Sequence, residues 1–181
     1  MQKRLFVALD LPESIRDGLQ RLCHGLPRAR WLAPEQLHLT LSFIGEVDGA
    51  VFADIREVLA EITAAPFELQ LDGLGFFPPR GKPRVLWAGL AASTPLLGLQ
   101  QRIQGRLLEL GLDLETRKYA PHITLARIQQ TPVSRLSRYL ESHGRFCSPP
   151  FSVDRFQLYS SVLSSKGAVH WLEQEYLLTG A

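Results

Sequence analysis

Two tetrapeptides, His38-Leu39-Thr40-Leu41 and His122-Ile123-Thr124-Leu125, repeat one pattern 84 positions apart in a chain of 181 residues. No other feature restricts the fold as much. In a strand, residues i and i+2 share a face. Each histidine therefore lies beside its threonine, with Leu39, Leu41, Ile123 and Leu125 on the opposite face. Each motif strand thus needs an apolar layer behind it and accepts a polar cleft in front. A single His-x-Thr carries little weight, since about one chain in five of this length holds one by chance. Two copies, both followed by leucine in an alternating strand, arise in roughly one of several thousand sequences.

The segments around the motifs read as short strands and amphipathic helices. Residues 4–9 form an apolar strand, followed by a helix from Pro12 to about Gly25 with Ile15, Leu19, Leu22, Cys23 and Leu26 on one face. Residues 36–44 alternate: Leu37, Leu39, Leu41 and Phe43 point one way, and His38, Thr40, Ser42 and Ile44 the other. A second helix carries Val51, Ile55, Val58, Leu59 and Ile62. Strands at 67–76 and 84–90 are joined by a loop rich in proline and basic residues, 78–84. A helix at 95–110, a strand at 120–128 and a helix from about Pro132 follow, and then a hairpin of 152–163 with 168–178. Each half has a helix on either side of its motif strand. The expected fold is α+β: one domain, 1–181, of two similar lobes, with helices outside antiparallel sheets and a central cleft.

Length and composition allow such a domain its own core. At this size roughly 70% of the unfolded chain's surface can be buried, so neither metal nor disulfide is needed. Cys23 and Cys147 stand far apart, outside any Cys-x-x-Cys pair, and read as reduced thiols. No run approaches the roughly 20 apolar residues of a membrane span. The N-terminal apolar run, Leu5 to Leu9, ends at Asp10 and Pro12, too soon for a secretion signal. A soluble, cytoplasmic protein is expected, with no membrane partner. The net charge of +2 is too small for extensive duplex binding. Residues 116–140, however, hold Arg117, Lys118, Arg127, Arg135 and Arg138 with no acid, a local field that attracts phosphate. Arg135 and Arg138 also fit a solvated helix face.

Paired imidazoles suit in-line displacement at phosphorus. One removes a proton from water and the other protonates the departing oxygen, both near neutral pH. The hydroxyls of Thr40 and Thr124 can donate to non-bridging oxygens as charge builds. Arg127 can add charge-assisted hydrogen bonds. Its offset of five from His122 is odd, so an unbroken strand would point it away, and the strand must bend or end near 126–128 for it to reach the site. No carboxylate or cysteine accompanies the two histidines at ligand spacing, so no metal and no cofactor are expected. His24 and His143, at helix ends, and His170, in the last strand, read as surface or capping residues.

With these motifs go Arg4-Leu5-Phe6-Val7-Ala8-Leu9, Arg30-Trp31, Phe43-Ile44-Gly45-Glu46, Pro83-Arg84-Val85-Leu86-Trp87, Pro121-His122-Ile123-Thr124-Leu125-Ala126-Arg127 and Leu158-Tyr159-Ser160-Ser161. Together they make the chain resemble the two-histidine (2H) phosphoesterase superfamily. Within it, the likeness is to the RNA 2′,3′-cyclic phosphodiesterase branch, formerly described as 2′-5′ RNA ligases. His170 departs from the resemblance, since many relatives carry a tyrosine there. The resemblance implies a bilobal fold and metal-free hydrolysis of a terminal RNA 2′,3′-cyclic phosphate to a 2′-phosphate; RNA with such ends or cyclic nucleotides are the expected partners, and a monomer the expected state. It implies His38 as proton donor and His122 as proton acceptor, an assignment that the near-equivalent motifs leave open by themselves. It further implies that Phe6 and Arg127 hold the terminal base, although Phe6 reads equally well as a core strand residue. Two alternatives stand beside this reading. One is a 2H enzyme acting on small cyclic nucleotides or 2′-5′ linkages, including reversible ligation; the other is a non-catalytic RNA-end binding module. Turnover separates the last from the others.

Overall fold

Segments of period two and period 3.6 alternate along the chain, and in the computed structural model, which describes residues 1–180, they form ten strands and four helices. In chain order these are β1 (Lys3–Asp10), α1 (Glu13–Gln20), β2 (Arg30–Trp31), a 3-10 turn (Pro34–Gln36), β3 (His38–Val47) and α2 (Gly49–Ala60). Then come β4 (Phe67–Leu69), β5 (Leu71–Phe77), β6 (Val85–Leu90), α3 (Thr94–Glu109) and β7 (Ile123–Arg127). The chain finishes with α4 (Val133–His143), β8 (Phe151–Val153), β9 (Arg155–Ser164) and β10 (Gly167–Leu177). Side chains start two of the helices: the Asp48 carboxylate accepts the Val51 N–H at 2.9 Å, and the Ser93 hydroxyl accepts the Leu96 N–H at 3.2 Å. Each satisfies an amide that the first helical turn leaves without a partner. Among the described residues no helix is long and apolar enough to cross a membrane.

Two four-stranded antiparallel sheets carry the architecture, ordered β10-β9-β1-β3 and β2-β7-β6-β5, with β4 and β8 forming a separate pair. The α+β reading of antiparallel sheets and helices holds. The sheets are not successive halves of the chain, however. The first takes two of its strands, β9 and β10, from the C-terminal hairpin, while β2, from the first half, pairs with β7 in the second sheet. The expected single strand over 67–76 is two, because Phe67–Leu69 pairs with β8 and Leu71–Phe77 pairs with β6. Helix α1 is shorter than expected: Pro12 is its N-cap, and the chain leaves the helix after Gln20 through irregular turns from which Leu26 still reaches the core.

The apolar faces meet in one core. Leu5, Val7, Leu9, Leu39 and Leu41 of the first sheet and Leu86, Ala88, Ile123 and Leu125 of the second are at most 2% exposed, as are Ile55, Leu59, Leu99 and Ile103 of α2 and α3. Each leucine or isoleucine so buried contributes about 1.5–3 kcal/mol. Leu125 lies directly behind the second histidine motif and is wholly buried. Leu125→Ala is expected to cost about 2–5 kcal/mol in a urea unfolding experiment. A cost below about 1 kcal/mol would mean the strand is not anchored from behind.

Candidate active site

Strand parity places the two motifs, and a break in that parity completes the site. His38 and Thr40 are half-buried on one face of β3, with Leu39 and Leu41 buried on the other. Thr40 pairs with Ala8 and Ser42 with Val7, so Leu41 is an extra residue, a β-bulge. A second bulge at Ile44, beside Gly45 with φ 88°, follows. Such a φ is open to glycine at little cost. The first bulge turns Phe43 onto the histidine face, 48% exposed, and sends Ile44 into the core at 8%. That reverses the orientation expected of both from simple alternation.

Strand β7 repeats the device. Thr124 pairs with Trp87 and Arg127 with Val85, leaving Leu125 as the bulged residue. Residues 87 and 85 share a face, so Thr124 and Arg127 do too. The odd offset of Arg127 is thereby corrected within the strand, slightly earlier than the bend expected at 126–128. Phe43 and Arg127 are equivalent positions, each five residues after its histidine.

A cleft of about 500 Å³ lies between the sheets, and Phe6, His38, Thr40, His122, Thr124 and Arg127 all line it. Arg4, Arg30 and Lys166 add positive charge to its wall, which includes no acidic side chain. Arg30 arrives by pairing with Arg127 across β2 and β7. The Arg30-Trp31 pair was visible in the sequence, but not its place in the second sheet. The tip of the last hairpin closes over one end: the Gln36 amide donates to the Ala168 carbonyl at 2.8 Å, and Gly167 (φ 118°) passes so near Arg30 and Gln36 that a Cβ would crowd both. Arg135 and Arg138 lie exposed on α4 and do not line the cleft.

Two further rings surround His38. Phe6 is only 4% exposed, its ring stacked on His38 at 4.9 Å and on Tyr159 at 5.4 Å. Of the two readings the sequence leaves open for it, this burial favours the packed strand residue, although Phe6 also lines the cleft. His170 is not a surface residue of the last strand. It is half-buried in the cleft, edge-on to His38 at 5.0 Å and to Phe6 at 4.9 Å, because it pairs with Ser161 on the cleft side of β9. Its Nδ1 is buried without a partner among the described residues.

The two motif histidines sit in different surroundings. His122 Nδ1–H donates to the Ala120 carbonyl at 2.7 Å. A carbonyl can only accept, so this contact keeps the proton on Nδ1 and leaves the Nε2 lone pair available when the ring is neutral. Phe77 and Trp87 flank that ring at 4.9 and 6.3 Å. His38 has rings around it instead. Burial first, and the neighbouring His170 second, lower its pKa from 6.5 to about 4. His38 is therefore neutral at pH 7, and an anion bound beside it favours its protonation. Among the described residues no group of three or more His, Cys, Asp or Glu side chains converges in metal-binding fashion.

These surroundings make a prediction with a defined sign. The folded pKa of His38 lies below its unfolded value, so the unfolded chain takes up the proton first as pH falls. Stability is then lost between about pH 6.5 and 4, by about 3 kcal/mol from this group, and levels below that window. Urea unfolding of the wild type and His38→Gln across that range measures it; equal pH dependence in both would remove His38 as the source. In an NMR titration, inorganic phosphate should raise the His38 pKa.

Comparison with known proteins agrees with this geometry. The model of the family LigT like Phosphoesterase matches residues 9–87 and again 90–170. A Thermotoga maritima protein named RNA 2′,3′-cyclic phosphodiesterase is 31% identical over 175 residues, covering 92% of this chain and 91% of its own. A Thermus thermophilus protein of the same name is 33% identical over 98% of this chain and 91% of its own. The crystal structure of Escherichia coli LigT complexed with 3′-AMP superposes with a TM-score of 0.82 at 26% identity, over 99% of both chains. A family model matched over nearly the whole chain, with relatives above 30% identity over most of it, makes this protein a member of the LigT-like phosphoesterase family, within the 2H phosphoesterase superfamily.

Proposed function

We propose that this protein hydrolyses RNA 2′,3′-cyclic phosphate ends to 2′-phosphomonoesters by acid/base catalysis from its own side chains, without a metal ion. One observation carries the reading: both His-x-Thr pairs, from different sheets, line one basic cleft. The names of the relatives supply the substrate class. His122 Nε2 takes a proton from water as the water oxygen bonds to phosphorus. The P–O3′ bond breaks, and His38 delivers its proton to O3′. The phosphoryl group stays on O2′. The Ala120 contact suits His122 to the accepting role, and the anionic phosphate offsets the low pKa of His38 as donor. The Thr40 and Thr124 hydroxyls and the Arg127 guanidinium donate to the non-bridging oxygens, where charge accumulates. A module that only bound RNA ends would have no use for two titratable groups.

Incubation with a 2′,3′-cyclic nucleotide and with a short cyclic-phosphate RNA, before and after exhaustive chelation, tests the chemistry. Turnover should persist with chelator present, and the product should be a 2′-phosphate. Loss of activity with EDTA and its return with a divalent ion would overturn the metal-free route; a 3′-phosphate product would reverse the proposed geometry.

His38→Ala and His122→Ala should each lose at least about 10²-fold in kcat, the usual size of a missing general acid or base. Either variant, folded and retaining near-normal turnover, would contradict the pairing.

A further inference from the structure

The catalytic cleft adjoins a second cavity, of about 910 Å³, beside His122, and Thr40, Phe43 and His122 line both. Five cations surround this groove: Arg80, Lys82 and Arg84 from the loop between β5 and β6, and Arg117 and Lys118 from the segment before β7. Glu115, the one acid in its wall, is engaged by Arg117 at 2.8 Å. Its floor is built rather than incidental. The Tyr119 hydroxyl donates to the Thr40 carbonyl at 2.7 Å, tying the 117–119 segment to the catalytic strand, and the Ser42 hydroxyl donates to Gln104 at 2.9 Å. At the junction of the two cavities stands Phe43, turned out by the β3 bulge, with the Arg4 guanidinium 5.1 Å from its ring.

We propose that this groove is a second nucleotide subsite, which holds the part of the RNA strand immediately 5′ of the terminal cyclic-phosphate residue. The proposal rests on the reading that the cleft acts on RNA ends, and it adds a preference for chain length. A cyclic-phosphate end is always the last residue of a chain, so the preceding nucleotides must leave the cleft. The adjoining groove offers them a path, cations for the internucleotide phosphates, and at Phe43 an aromatic face for a base. Stacking of bases on aromatic rings over a basic track is how single strands are held without sequence preference. The charge fits a polyanion, while the apolar ring surfaces of Phe43, Pro78 and Pro79 give bases somewhere to lie.

The test compares a 2′,3′-cyclic mononucleotide with a hexanucleotide ending in the same cyclic phosphate, using the wild type and the double variant Arg80→Ala/Lys82→Ala. Both substituted residues are exposed and line only the groove. The wild type should show the higher kcat/KM on the hexanucleotide. The variant should raise KM for the hexanucleotide by about 3- to 30-fold at low salt, flatten its salt dependence, and leave the mononucleotide reaction unchanged. Equal kcat/KM for both substrates in the wild type, or an equal loss on both in the variant, would overturn the subsite. Fluorescence anisotropy of a labelled hexanucleotide keeps the two readings apart. If neither substrate is turned over, the catalytic reading fails, and weaker RNA binding by the folded variant would still support the groove. Unchanged binding would remove it.

Discussion

In a pleated strand the face a side chain occupies follows from its parity, and both motif strands of this chain break that parity at the same point. Leu41 and Leu125 are bulged, so two buried residues follow one another where alternation allows one. The extra residue bends the strand and re-aims what comes next. Phe43 and Arg127 thereby join the histidine and threonine of their own strand on the cleft side. Without the bulges each would point into the core, where Arg127 would be an unpaired buried charge. The two strands use one backbone device to present different chemistry, an aromatic ring on one side and a guanidinium on the other.

Pseudo-symmetric placement does not give the histidines equal environments. His38 belongs to the better covered side, where Phe6, Tyr159 and His170 crowd it and burial keeps its pKa low. His122 keeps a carbonyl contact that orients its ring and fixes its tautomer. The difference comes from what each sheet provides: in the first sheet β1 and, beyond it, the C-terminal hairpin bring Phe6, Tyr159 and His170 to the first histidine, whereas the second places Trp87 and Phe77 by the other. Near-identical tetrapeptides thus acquire different surroundings from their neighbours. Burial, more than residue type, sets the His38 imidazole apart.

The interleaving of the sheets has a mechanical consequence. Strands from both ends of the chain, β1 and the β9–β10 hairpin, lie side by side, and the hairpin's tip closes over the cleft beside Arg30 and Gln36. Residues separated by more than a hundred positions therefore share the wall around His38. Backbone ladders on both flanks of β1 fix this arrangement, so the cleft's shape is held by sheet hydrogen bonding as well as by apolar packing.

Sequence by itself determined the two motif strands, their apolar anchors, the helices between them and the placing of each histidine beside its threonine on one face. These are local: period and residue type decide them within a few positions. It also marked Arg127 as a site residue that parity would exclude, a conflict that only a bulge resolves, and bulges leave no period of their own. Tertiary structure alone decided which strands share a sheet, that Phe43 faces outward, and that Phe6 packs against His38. It also brought His170 to the cleft and set the basic loop at 78–84 along a groove that shares Thr40, Phe43 and His122 with it. Each of these depends on pairing between distant strands, and pairing is settled by the whole core, because a strand's neighbours fix which of its two faces meets solvent.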